Sequence, residues 1–109
     1  MYERKINFNK KNLRYIFMNY YVLIYHLVDD YMTRRSQFRE EHLKLAKELN
    51  QKDELILAGA FSDPPDKALL IFRVADKTVI EEFVNKDPYV KNGLIAKWEI
   101  RPWTVVIGN

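Results

Sequence analysis

Residues 54–75 read ELILAGAFSDPPDKALLIFRVA, and this stretch decides the fold. Two aliphatic, strand-type segments, Glu54–Phe61 and Ala68–Ala75, flank Ser62-Asp63-Pro64-Pro65-Asp66, a cluster of turn formers. Gly59 lies inside the first segment, where a side chain would not fit or a bulge occurs. Working outward, each strand is flanked by a helical pattern. On the N-terminal side a helix is predicted from about Met32 to Asn50. On the C-terminal side Asp76 is placed to cap a shorter helix to about Lys86, with Val79, Ile80, Phe83 and Val84 on one face. Beyond the helices lie an aromatic, β-branched run, Tyr20–Leu27, ended by Asp29-Asp30, and a last strand over 96–107. The order is β-α-β-β-α-β. It predicts an α+β, ferredoxin-like domain: a four-stranded antiparallel sheet with two helices on one face.

The strands carry a second message. A sheet with one solvated face alternates apolar and polar residues. Here Leu23 and Tyr25 oppose Val22 and Ile24, and Leu69 and Ile71 oppose Leu70 and Phe72, so both faces are apolar. A second copy of the sheet is the simplest cover, which predicts a homodimer packed sheet to sheet. In the last strand the apolar parity passes from Trp98 and Ile100 to Trp103, Val105 and Ile107 across Pro102. That switch predicts a bulge or bend on an edge strand.

A chain of 109 residues fits one domain. The net charge of +3 is unevenly held. Residues 1–17 carry five basic side chains and one acidic, whereas the remainder carries 13 basic and 14 acidic. The basic character belongs to the leader and gives little reason to expect nucleic acid. Its apolar cluster, Leu13–Phe17, is too short and too charged for a signal-peptide core or a membrane span, so no membrane partner is expected. Met18 followed by a strand pattern suggests that residues 1–17 stem from an upstream start codon, with a basic arm as the rival reading. The domain is then 18–109. With no cysteine there is no disulfide framework and no thiolate chemistry, which is compatible with the expected cytoplasmic location.

One polar residue interrupts the long helix's apolar stripe. On a wheel with Phe38 at zero, Leu45 and Leu49 fall within about 20° and His42 near 40°. His42 therefore points where the leucines point, at the sheet. Periodicity alone favours a core histidine satisfied by some partner. The other reading is a neutral imidazole in a part-dry cleft, able to move a proton near neutral pH. Asp87 also has a structural reading. The second helix should stop before Pro88, and Pro88 suits the first position of a short turn of helix to Asn92, ended by Gly93. Asp87 would cap it. A carboxylate fixed by backbone amides is also what an imidazole needs as an orienting partner.

Three segments, Arg39-Glu40-Glu41-His42-Leu43, Leu57-Ala58-Gly59 and Asp87-Pro88-Tyr89-Val90, follow a Tyr-Val-rich first strand in this order. Together they resemble the YciI-like (YCII-related) family over about Met18–Val106. The resemblance implies a dimeric α/β-barrel built from ferredoxin-like chains and a site centred on a histidine and an aspartate, which fall here at His42 and Asp87. Arg39 and Tyr89 are the neighbouring motif residues and the expected substrate contacts. Relatives in the wider superfamily isomerise lactones or eliminate halide from ring compounds. This chain departs at Ala60, where many members have proline, and in its short hairpin.

Other chemistries find little support. Ser36 and Ser62 are the only serines, and neither is spaced to meet His42 on the helix. A metal site would need about three ligands from His26, His42, Asp29, Asp30 and Asp87, and none is expected. An RNA-binding sheet of this order would need a basic, glycine-containing third strand, and Ala68–Ala75 has only Arg73. Tyr21 and Tyr25 read as core or interface. His26, at the end of the first strand, could approach the cleft and is counted among the substrate contacts. The expectation is a cofactor-independent isomerase or lyase-type enzyme acting on a small molecule, with His42 as acid/base and Asp87 as its orienter. The alternative is a non-catalytic dimeric module that binds a ligand or partner in the same pocket.

Overall fold

The computed structural model describes residues 18–108. The leader 1–17 lies outside them, as does the question of its origin. The chain forms β1 (Asn19–Leu27), a single turn α1 (Tyr31–Arg34) continued by a 3-10 turn (Arg35–Gln37), and α2 (Arg39–Gln51). There follow β2 (Leu55–Ala60), β3 (Lys67–Val74), α3 (Thr78–Lys86), the single turn α4 (Pro88–Lys91) and β4 (Ile95–Trp103). The sheet order is β2-β3-β1-β4, antiparallel throughout. This is the expected ferredoxin-like arrangement.

Strand side chains alternate between faces. On β1, Leu23, Tyr25 and Leu27 are buried; on β3, Leu70, Phe72 and Val74 are. They meet Ile80, Phe83 and Val84 of α3, together with Tyr31, Tyr89 and Leu94, in one core on the helix side. Phe38, Leu45, Ala46 and Leu49 pack on its edge, as the periodicity of α2 requires.

Four sequence expectations are corrected. The long helix is interrupted: Phe38 sits at φ −116° and ψ 0°, and no side chain caps α2. Tertiary contacts hold the first turn elsewhere. Arg34 donates to the carbonyls of Asn92 (2.8 Å) and Gly93 (3.4 Å), and Tyr31 is buried. Gly59 makes neither a bulge nor a tight contact. It pairs with Leu69, and a Cβ built there meets nothing within 4 Å. The irregularity in β2 falls at Ile56, between Leu55 paired with Phe72 and Leu57 paired with Ile71. In β4 the pairing runs unbroken through Pro102, opposite Tyr21, and the irregular step lies at Ala96 beside His26/Leu27. An edge strand tolerates proline because one side of its ladder is unpaired. β4 ends at Trp103, so of the apolar residues beyond the proline only Trp103 is a strand residue and Val105 and Ile107 are not; Val106 and Ile107 are exposed.

Asp76 acts as expected with a small shift. Its carboxylate accepts from the Thr78 amide at 2.8 Å, and this bond holds its carboxyl below the usual carboxylate range.

Candidate functional site

Asp87 is the centre. Pro88 cannot continue α3, so the chain leaves helical geometry at Asp87 (φ −70°, ψ 119°) and restarts as α4 with proline in its first turn. The backbone thereby aims the Asp87 carboxylate at α4's free amides, and Oδ1 accepts from the Tyr89 N–H at 3.0 Å. Two side chains complete the set. His42 Nδ1 lies 2.8 Å from Oδ1, and the Tyr25 hydroxyl donates to Oδ2 at 2.7 Å. Asp87 is 0% exposed. A carboxylate buried this fully must be satisfied from within the protein, and three donors converge on it.

This network fixes the imidazole. A carboxylate only accepts, so His42 places its proton on Nδ1 and leaves Nε2 to act outward. The ring lies parallel to Tyr89, centroids 3.9 Å apart and planes 9° apart, and meets Phe83 edge-on at 6.2 Å. The His42 side chain is 13% exposed, so it sits at a part-dry edge rather than in the deep core.

Tyrosines surround the pair. Tyr31 meets the Tyr89 ring edge-on at 5.6 Å. Burial, then the charge of Asp87, then the hydrogen bond to it drive the Tyr25 hydroxyl's pKa far up. Burial and the neighbouring Tyr31 push the Tyr89 hydroxyl up to about 12, with Arg39 acting in the opposite sense. Tyr31 and Arg39 therefore stand close to that hydroxyl, yet it has no partner at hydrogen-bond geometry among the described residues although it is buried.

Of the residues expected from the sequence, His42, Asp87 and Tyr89 come together, and Arg39 lies beside them. His26 does not. It follows Tyr25 on β1 and therefore points to the opposite face, where Nε2 is 3.3 Å from Glu99 Oε2. The alternation that buries Tyr25 is what carries His26 away. Tyr25 and Tyr31 were missed as site residues. A signal for Tyr25 was available: it shares parity with Leu23 and Leu27, and a buried tyrosine hydroxyl needs a partner. No group of three or more His, Cys, Asp or Glu side chains converges among the described residues.

Fold and site define a class: a ferredoxin-like α+β domain whose helix-covered face carries a histidine locked to a buried aspartate. Within that class, the chain belongs to the YCII-related domain family, whose model matches residues 18–104. The fold is also shared with 5-chloro-2-hydroxyhydroquinone dehydrochlorinase (TftG) from Burkholderia phenoliruptrix AC1100, solved with 2,5-dihydroxybenzoquinone. That structure has TM-score 0.66 and 18% identity, over 78% of this chain and 93% of that one. A candidate antibiotic biosynthesis monooxygenase from Bacteroides thetaiotaomicron VPI-5482 is similar at TM-score 0.54 and 13% identity, over 83% and 90% of the two chains. No curated protein matches the sequence.

Proposed function

We propose that this protein is a small-molecule enzyme in which His42 moves a proton through Nε2 while Asp87 holds the ring. One observation carries the reading: a 2.8 Å contact between His42 Nδ1 and a fully buried Asp87, itself anchored by Tyr25 and the Tyr89 amide. A histidine needing only satisfaction could use a backbone carbonyl. Here four elements of the fold, β1, α2, α3's end and α4, converge to orient it. Imidazolium formed during proton transfer is stabilised by the carboxylate, and Nε2 serves as base and then as acid. The reaction class is proton abstraction coupled to elimination or isomerisation. The dehydrochlorinase named above performs an elimination on the same fold, which supports that class. Oriented proton transfer of this kind contributes about 10²–10⁴-fold in rate. Arg39 and Tyr89 bind the substrate beside the imidazole.

The working unit is a homodimer joined through the face of the sheet opposite the helices. Val22, Ile24, Leu69 and Ile71 alternate out of the core on β1 and β3, and Leu57 is 66% exposed. Apolar surface of this extent favours a protein cover.

The test is an NMR titration of His42 in the native sequence and in Asp87→Asn. The His42 ring resonances should respond clearly to the substitution. A ring that ignores the substitution ends the acid/base assignment.

A further inference from the structure

The segment 34–39 holds three arginines with different fates. Arg34 is tied to Asp30 at 3.7 Å and to the carbonyls of Asn92 and Gly93. Arg35 lies over the Tyr31 ring at 5.8 Å. Arg39, exposed at the start of α2, has no carboxylate partner among the described residues. It sits one turn before His42. Beside it is the Tyr89 hydroxyl, buried, close to Tyr31 and Arg39, and without a partner at hydrogen-bond geometry among the described residues. Leaving such a group unsatisfied is costly, so its persistence calls for an explanation in use.

The surroundings say what would satisfy it. The ring carrying the hydroxyl is stacked on His42 at 3.9 Å, so the hydroxyl lies within a small molecule's span of Nε2. The Tyr31 ring closes one side at 5.6 Å. Asp87, the only buried acid among the described residues, already holds three donors. Around the buried Tyr89 hydroxyl stand the Arg39 guanidinium and the Tyr31 phenol, with the His42 imidazole stacked on the same ring. These are hydrogen-bond donors with net positive charge, and no carboxylate among the described residues pairs with the guanidinium.

We propose that Arg39 and the hydroxyls of Tyr89 and Tyr31 form a subsite for the anionic oxygen of a small organic acid, enolate or phenolate, held within reach of His42 Nε2. This names the substrate class of the proton-transfer site and rests on that reading for the ligand's fate, though the binding itself does not. Arg39 is the movable part. It is an exposed, flexible side chain whose displacement uncovers the Tyr89 hydroxyl, and its charge then closes over the bound oxygen. In an elimination or isomerisation, negative charge gathers on such an oxygen as His42 removes the proton, so the donors are set where charge develops.

The experiment uses the full chain and two probes of one shape, benzoate and benzamide, followed through the His42 ring and Tyr89 amide resonances. Benzoate should bind saturably and at least about tenfold more tightly than benzamide, the weight of one charge-assisted contact. Arg39→Gln should weaken benzoate about tenfold, and Tyr89→Phe and Tyr31→Phe several-fold each, with benzamide unaffected. Arg39 is exposed, so its variant keeps the fold and the test stands even if a tyrosine variant is damaged. Equal binding of the two probes, as a hydrated polar pocket would give, overturns the proposal. So does failure of benzoate to saturate, or benzoate affinity indifferent to Arg39→Gln. Anion binding with a His42 ring indifferent to Asp87→Asn would instead end the acid/base reading and leave the subsite standing.

Discussion

The two histidines of this chain each face a carboxylate, and they do so on opposite sides of the same sheet. His42 meets Asp87 at 2.8 Å, with Asp87 0% exposed and held by two further donors. His26 meets Glu99 at 3.3 Å, with side-chain exposures of 24% and 44% and, among the described residues, no second side-chain partner holding the glutamate. Chemically the pairs are alike. Physically they differ in everything that makes a pair useful: fixed geometry, exclusion of water and a carboxylate that cannot turn away. An exposed pair of flexible side chains contributes at most about 1 kcal/mol, because solvent screens it and ordering the side chains opposes it. The lesson is that the second partners of the carboxylate, more than the histidine itself, distinguish the two sites.

The sharpest break of this comparison is removal of each carboxylate. Asp87→Ala strips a half-buried histidine, a buried tyrosine and a helix turn of their acceptor, and it should lower unfolding free energy by about 3–5 kcal/mol. Glu99→Ala on the isolated chain should stay within about 0.5 kcal/mol. Urea denaturation of both variants decides this, and similar losses would erase the distinction.

Next in size, Tyr25→Phe removes only an oxygen but strands Oδ2 in the core, at a cost of about 1–3 kcal/mol. It should also move the His42 titration measured by NMR. A stability loss with His42 unmoved would make Tyr25 a core residue and nothing more.

Alkali offers a third probe. Tyr89 binds its proton more tightly folded than unfolded, with its pKa raised from 10.0 to about 12, and Tyr25 is shifted in the same direction. The unfolded chain therefore loses these protons first. For Tyr89 the stabilising effect is complete below the ordinary tyrosine value near 10 and is lost as pH rises through about 12. The urea midpoint should fall over that range, and Tyr89→Phe should flatten part of the fall. An identical slope in that variant would place the titration elsewhere.

The opposite face is probed by Ile24→Arg. It should halve the mass measured by light scattering at micromolar concentration while keeping the helix-side fold, and an unchanged mass would remove the sheet-to-sheet dimer. The smallest effect belongs to Glu99→Gln, which should leave the His42 titration untouched because the sheet lies between the two pairs.

How much of this was legible in the sequence follows from which interactions are local. The hairpin of β2 and β3, the helix flanks and the restart at Pro88 rest on neighbouring residues, and they were read correctly to within a residue or two. His42 was legible because one polar residue breaks a helical stripe, and Asp87 because a proline follows it. The partnership of Tyr25 with Asp87 spans 62 residues, and nothing near either residue encodes it. The break at Phe38 is likewise imposed from afar, by Arg34 tied to the end of α4 and Tyr31 docked in the core. His26 was misplaced because being near the end of a strand says where a residue is along the chain, while parity decides which side of the sheet it serves.

Asp87 closes the turn at Pro88 and holds His42 with the same oxygen, Oδ1. Under the proposed function, assembly of the domain and operation of its site therefore meet in one atom. A survey of variants scored by survival of a host cell would return one signal here, mixing protein abundance with turnover per molecule. Separating them requires paired readouts at this position, amount of folded protein beside rate per molecule, whereas at Arg39 on the surface the rate alone suffices.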